Sequence, residues 1–476
     1  MLPPALTLLR GAALAAALLL PVTALPQSRP QAQAPRQPAA AAPLPLRAAI
    51  AEFLARSPDL AGERLLPTIA AIDRALAAER FVPQAALDAL AGRQAYEGPG
   101  VAVGPVASVD LPTGGTVRTG VALSPGSRAG DVQAFATVQI PLLRGAGERA
   151  AQAQLRIATL QARIAELAYD ARVSTATALF AREFVTLDAL DRRVRDAEDA
   201  LRRTREQLRI VRSLVERGVL ASGDTLEIEA AAIQRELDVA DLTGEALRQR
   251  LQVAGLLGRD ATQPLRPLLP DALRWTVPPE ADLLTGARQR PEVQLRALRI
   301  AVAEENKLLA AEDLRWDLSI VGDFRLRNVD DANRFATDRR FGSTDLAYGL
   351  GLRVSVPLTT QAAELRVARA DAELGRTRFD LQAAREAAER EVLQRRVILL
   401  REIERRSVTE RLLSVSEQKL ALEQRRLQLG RSSALQLRLA EEEFVRARAS
   451  LTADSARVLL AWIDLLNASA RFQLPQ

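Results

Sequence analysis

Two stretches of this 476-residue chain hold groups at spacings that chemistry could use. Gly145-Ala146-Gly147-Glu148-Arg149-Ala150 pairs closely spaced glycines with a helix start, the pattern that cradles a dinucleotide pyrophosphate. Glu441-Glu442-Glu443 sets three carboxylates in a row, a source of acid–base chemistry or a cation site. Neither reading survives its setting. The helix opened at Glu148 is far too long for a βαβ unit, no parallel strand follows it, and a chain turning sharply from strand to helix needs glycine in any case. The three glutamates lie on a charged helix, where such a run reads as a solvated face. The chain has no Cys and no His, which removes thiolate nucleophiles, imidazole bases, Cys/His metal sites and disulfides together. The residues therefore point to a protein that is not an enzyme and needs no cofactor or metal.

The elements that carry these residues are long helices. Leu187, Leu190, Val194, Ala197, Leu201, Thr204, Leu208, Val211 and Val215 step by three and four, the rhythm of a coiled-coil seam. Beyond Gly218 the rhythm resumes with Leu226, Ala230, Ile233, Leu237, Ala240, Gly244, Leu247, Leu251 and Ala254. Two seams on either side of one glycine predict an antiparallel hairpin over 148–258. At about 1.5 Å per residue its first arm would span on the order of 100 Å. Aromatics make up 4% of the chain and charged residues 26%, which fits extended helical packing better than a large globular core. The net charge is +6, but arginines alternate with Glu and Asp along the helices, as at Arg202, Arg203, Arg205 and Glu206; this is a salt-bridged face and not a nucleic-acid footprint.

Residues 1–24 read as a cleaved export signal: Arg10, an apolar run from Gly11 to Leu20, then Val22-Thr23-Ala24 for the peptidase. Residues 25–45, rich in Pro, Gln and Ala, read as a disordered lead-in. The remainder repeats itself. A first unit, 46–258, runs helix, strands within 83–142, and hairpin 148–258; a bridge follows at 259–290; a second unit, 291–470, runs helix, strands within 318–357, and hairpin 361–468; 471–476 is a tail. Pro291 stands 233 residues after Pro58, as Trp316 does after Pro83, and Val354-Ser355-Val356-Pro357-Leu358 repeats Val138-Gln139-Ile140-Pro141-Leu142. Gly430 ends the second long helix as Gly218 ends the first. The seam of the last helix carries Glu441, Arg448 and Ser455 where the first half has Ala, Leu and Gly, so looser or wetter packing is expected there.

The strands alternate. Leu318, Ile320, Phe324 and Leu326 share one face and Ser319, Asp323, Arg325 and Arg327 the other; Tyr348, Leu350, Leu352 and Val354 alternate with Gly349, Gly351, Arg353 and Ser355. An apolar face outside and a polar face inside suits a transmembrane barrel with a wet lumen. In the first half Ala134, Ala136, Val138 and Ile140 alternate with Phe135, Thr137 and Gln139, Ala85, Leu87 and Ala89 alternate weakly, and Val109 to Val121 around Leu111-Pro112-Thr113-Gly114-Gly115 looks like an additional hairpin. About four strands per chain cannot close such a barrel, so copies must pool them: three copies give twelve, two give eight.

At this point the residues resemble a family. The repeated strand-Pro-Leu-helix junctions (Pro141-Leu142-Leu143-Arg144-Gly145-Ala146-Gly147 and Pro357-Leu358), the hairpins turning at Gly218 and Gly430, and the segment Leu435 to Glu441 together are similar to the TolC-type outer-membrane efflux factors. The resemblance implies a mainly helical trimer whose hairpins form an α-barrel through the periplasm below a twelve-stranded β-barrel in the outer membrane. It implies a passive channel of a tripartite efflux pump or a type I secretion system, working with a periplasmic adaptor and an inner-membrane transporter. It places adaptor docking at the tips, Gly218, Val219, Leu220 and Ala221 on one hairpin and Gly430, Arg431, Ser432 and Ser433 on the other. It also implies a gate there: Asp224 matches the family's aspartate, while Leu427 stands in place of a tyrosine and Gln436 and Leu439 in place of lumenal carboxylates. As an acidic residue in the first turn of a helix, Asp224 equally suits the helix dipole. The alternative to a channel is a periplasmic coiled-coil tether without a pore.

Overall fold

A computed structural model describes residues 43–94, 98–124, 131–260, 265–270, 275–328 and 344–470, all within one compact unit, Ala42–Gln476. The export signal, most of the lead-in and the tail lie outside the described residues. Ser57 and Pro58 divide the first helical segment into α1 (Leu46–Arg56) and α2 (Pro58–Glu63), with Pro58 in the first helical turn, where a missing N–H is harmless. After a break at Arg64, α3 (Leu65–Glu79) leads to four strands: β2 (Gln84–Gln94), β3 (Gly98–Asp110), β4 (Thr116–Ser124) and β5 (Asp131–Pro141). A single turn, α4 (Glu148–Ala151), precedes the 64-residue α5 (Ala153–Glu216), and α6 (Ser222–Leu256) runs back. The second half gives α7 (Glu280–Arg288), α8 (Pro291–Glu312), β7 (Asp317–Asn328), β8 (Thr344–Ser355), the 68-residue α9 (Gln361–Gln428) and α10 (Ala434–Ala468).

Four details depart from the sequence expectations. Pro43–Pro45, inside the stretch expected to be disordered, forms a short strand β1 that pairs in parallel with β6 (Arg266–Leu268) of the bridge. The bridge also contains helix α7, whose Leu283 and Ala287 are buried in the main core. The sheet has six strands in the order β2-β3-β4-β5-β7-β8, where about four were expected; the additional hairpin read around Leu111–Gly115 is present as β3 and β4, and it is the length of β3 that Pro105, Gly100 and Gly104 hide by breaking its alternation. Lastly, the two seams of the first hairpin do not close on each other. Leu187, Thr204 and Val211 of α5 are buried, but Leu226, Ile233, Leu237, Leu247 and Leu251 of α6 are 45–69% exposed, and α6 buries Ile228, Ala232, Ala246 and Val253 instead.

Two cores hold the helices. The larger gathers α1, α5, α7, α9 and α10 around Phe53, Phe180, Phe184, Val392 and Trp462, with the Phe53 and Phe180 rings stacked at 4.6 Å and Trp275 edge-on to Trp462 at 5.5 Å. The smaller lies near the hairpin ends and joins Val211, Ile228, Leu420, Leu427, Leu437 and Phe444. The helices pack side by side in the order α6-α5-α10-α9. Among the described residues no helix is long and apolar enough to cross a membrane.

Candidate functional site at the hairpin tips

Both tips are built by the same backbone device. Gly218 takes φ +73° and Gly430 φ +67°, a left-handed conformation that costs a residue with a Cβ roughly 1–2 kcal/mol. At the first tip the N–H of Gly218 donates to the carbonyl of Val215 at 2.9 Å and that of Val219 to Leu214 at 2.9 Å. At the second, Gly430 donates to Leu427 at 2.9 Å and Arg431 to Arg426 at 2.8 Å. These are Schellman closures: they satisfy carbonyls that the helix end leaves free and reverse the chain in five residues. A Cβ built on Gly430 would lie 3.5 Å from Cγ1 of Val219, so the two tips meet, Val219 against Gly430.

The returning helices are capped differently. Asp224 accepts a hydrogen bond from the backbone N–H of Ala221 at 3.2 Å, half of a capping box, since Ala221 has no side-chain acceptor to return it. At the other tip Ser433 Oγ accepts from the N–H of Gln436 at 3.3 Å. Ser432 Oγ lies 2.8 Å from Glu423 Oε2 and 2.8 Å from Gln436 Oε1, tying the end of α9 to the start of α10. Of the residues assigned to a gate, Asp224 is engaged with its own helix start, Leu427 is 2% exposed in the smaller core, and Gln436 belongs to the serine cluster. The structure does not join the three to one another. Leu220 packs against the smaller core, while Gly218, Val219, Ala221, Arg431 and Ser433 are exposed.

Above the tips, the polar seam residues of α10 are tied to neighbouring helices: Glu441 is buried, where a solvated face and looser packing were expected, and Arg448 and Ser455 are half-buried. Glu441 is 3% exposed; its Oε1 accepts from Arg203 Nε at 3.0 Å and its Oε2 from Gln207 Nε2 at 2.9 Å, and the Arg203 guanidinium lies 5.0 Å from the centre of the Phe444 ring. Arg448 donates to Asp196 at 2.7 Å, and Ser455 accepts from Arg406 at 3.3 Å. Asp454 is 1% exposed, bonded to Thr409 at 2.7 Å and to Arg457. Burial alone would push its carboxyl up, but those hydrogen bonds and the nearby Arg457 and Arg405 charges hold it below the usual range. Asp188 on α5 goes the other way: burial pushes it up despite Arg192. The sequence marked Glu441, Arg448 and Ser455 as polar positions on the seam but not their partners, and gave no signal for Asp454 or Asp188, because each partner lies on another helix or a turn away. Among the described residues no Asp or Glu cluster is arranged to hold a metal, and the glycines of the apparent dinucleotide motif serve the strand–helix elbow, with Gly145 at φ +73° and Gly147 at φ +88°.

A scan of family models finds no match, and a search of curated proteins finds none either. Solved structures do match. The outer-membrane channel OprN aligns at a TM-score of 0.69 with 18% identity over 89% of each chain. The outer-membrane protein VceC from Vibrio cholerae aligns at 0.68 with 17% identity over 89% of this chain and 95% of its own. The open state of the Neisseria gonorrhoeae MtrE outer-membrane channel aligns at 0.67 with 15% identity over 89% of this chain and 88% of its own. With its duplicated hairpins, elbowed strands and paired tips, the chain has the fold of the TolC-type outer-membrane efflux channels.

Proposed function

We propose that the chain is one subunit of a passive outer-membrane exit duct. Three copies close a β-barrel in the membrane and a helical tunnel below it, and the tips at the far pole, Gly218–Ala221 and Gly430–Ser433, dock on a periplasmic adaptor that links the duct to an inner-membrane transporter. The duct does no chemistry of its own; an efflux pump or a type I secretion system supplies the energy.

The observation that carries this reading is an uncovered sheet. Among the described residues no layer packs on its apolar face: Tyr348 is 82% exposed, Leu350 83% and Leu352 70%. Burying such a face gains about 25 cal/mol per Å². Lipid provides that burial, and in lipid the open edges at β2 and β8 must pair, which neighbouring copies allow. The helices support the same assembly. The outer members of the helical layer, α6 and α9, each carry an uncovered heptad stripe: Leu226 to Leu251 on α6, and Val408, Leu412, Val415, Leu422 and Leu429 on α9. One copy's α6 laid antiparallel on the next copy's α9 covers both stripes, with Leu226 and Leu429 at the same pole. Planar-bilayer conductance together with heat-modifiable trimers in outer-membrane fractions is the expected result. A water-soluble monomer without conductance would overturn the reading in favour of a tether.

A further inference from the structure

From the sheet we infer, resting on the duct reading, that the β3–β4 hairpin is itself embedded in the membrane wall, so that three copies close an eighteen-stranded barrel and not a twelve-stranded one. The hairpin cannot be peripheral. β3 is hydrogen-bonded to β2 along the whole of β2, from Gln84↔Ser108 to Gln94↔Gly98, and β4 to β5 from Thr116↔Gln139 to Ser124↔Asp131. Taking β3 and β4 out of the ring would break both ladders.

Its faces agree with the rest of the wall. Directly paired residues share a side of a sheet. The register carries the lipid-side row of β8 and β7 through Ala134 and Ala136 of β5 to Val117 and Val121 of β4, and on to Val103, Ala107 and Val109 of β3. Thr119 interrupts this row, and its Oγ1 is satisfied by the carbonyl of Phe135 at 3.1 Å. The opposite face carries the charged and polar residues Arg118, Thr137, Gln139 and Asp323 together with Val106 and Phe135, and Arg118 of β4 bridges there to Asp88 of β2 at 3.1 Å, over β3. β3 and β4 are 13 and 9 residues long, at or above the roughly 9 residues that a tilted strand needs to span.

The turns fit as well. Leu111–Gly115, which joins β3 to β4, lies at the helical end, where the N–H of Gly147 donates to the carbonyl of Thr113 at 3.0 Å. A Cβ on Gly114 would come within 2.2 Å of the Gly145 carbonyl oxygen, so the turn is fitted closely to the strand–helix elbow. A short turn on the helical side is the pattern of outer-membrane barrels.

The wider ring also seats on the helical wall. Strands about 4.8 Å apart and tilted about 40° take about 6 Å of circumference each, so eighteen need about 110 Å and twelve about 75 Å. Twelve helices at about 9 Å spacing have a perimeter of about 110 Å.

The absence of cysteine permits a direct test. Val121→Cys on β4, Leu350→Cys on β8 and Arg118→Cys on the polar face are each labelled with bimane in the full-length trimer and reconstituted in vesicles carrying nitroxide-labelled lipid. The expected result is quenching at Val121 within twofold of that at Leu350, with Arg118 spared. Val117→Cys repeats the measurement if Val121→Cys does not assemble. Quenching at Leu350 without quenching at either β4 position would overturn the eighteen-stranded barrel and leave the duct intact. No quenching at Leu350 would overturn the duct itself, and the inference with it. Electron cryomicroscopy of the same trimer should count eighteen strands; twelve would overturn the inference alone.

Discussion

The two halves of the chain follow one order of elements and differ at opposite ends. The first half contributes four strands to the large sheet and the second contributes two. The second half, in turn, carries the charged seam. Glu441 and Asp454 of α10 are buried among arginines, while α6, which occupies the corresponding place in the first half, leaves its leucine seam open. A duplicated unit has thus been specialised. α10 faces its own chain through fixed charge pairs, whereas α6 leaves an apolar stripe uncovered, which the proposed assembly lays against a neighbour. Charge pairs specify one partner helix and one register, and an apolar stripe can be covered by any complementary stripe, so in the proposed assembly polarity divides the seams within a chain from those between chains.

The largest effect should come from the charged seam. Glu441→Ala leaves Arg203 and Gln207 facing each other without an acceptor, and is expected to cost about 3–5 kcal/mol in heat or denaturant unfolding. The matched change on the other half, Ala230→Ser, should be nearly silent. If both changes cost the same, the proposed specialisation is wrong. Next is the sheet: Leu352→Asp places a charge on the apolar face at about 2–4 kcal/mol per chain near the midplane and should block membrane assembly. Normal trimer yield in that variant would mean the face does not meet lipid.

The tips should respond alike where the halves remain alike. Gly218→Ala and Gly430→Ala are each expected to cost about 1–2 kcal/mol, measured as loss of thermal stability, since both force a Cβ into a left-handed backbone. A difference of more than a factor of two would show that the two turns are not equivalent.

Acid titration separates Asp454 from Asp188. Asp454, lowered in the folded chain, contributes stability above the ordinary carboxylate pKa and loses it as pH falls through its folded value, so Asp454→Asn should flatten the acid side of the stability curve. Asp188, raised by burial, favours the folded state at low pH and loses that contribution as pH rises through its folded value, so Asp188→Asn should steepen the acid loss. Slopes of the same sign in the two variants would contradict the assignment. The smallest effect belongs to Asp224. As a cap, Asp224→Ala should cost about 0.3–1 kcal/mol and leave single-channel conductance unchanged. A clear rise in conductance would make it a gate residue instead.

Much of this fold is legible in the sequence. The three-four stepping from Leu187 to Val215 announced a rod of the length found, Gly218 and Gly430 marked both reversals, and the alternation from Leu318 to Val354 gave β7 and β8 nearly to their ends. The turn between β3 and β4 was legible around Leu111–Gly115, but the length of β3 was not, because Pro105 and its glycines carry little strand propensity and their place is fixed by neighbours on both sides. Helix α7 was hidden by the prolines around it. At the tips the sequence located the turns but not the destination of Leu427, which an amphipathic pattern places on a face without saying whether that face opens to a lumen or packs within a core.

By itself the sequence determined the duplication, the length of the rods and the positions where they turn, since these follow from local periodicity and from the backbone freedom of single glycines. Only the tertiary structure decided which apolar stripe is closed within the chain, which polar seam is buried, and how many strands share the sheet. Periodicity encodes that a face must be covered, and the partner that covers it is set by contacts between segments hundreds of residues apart.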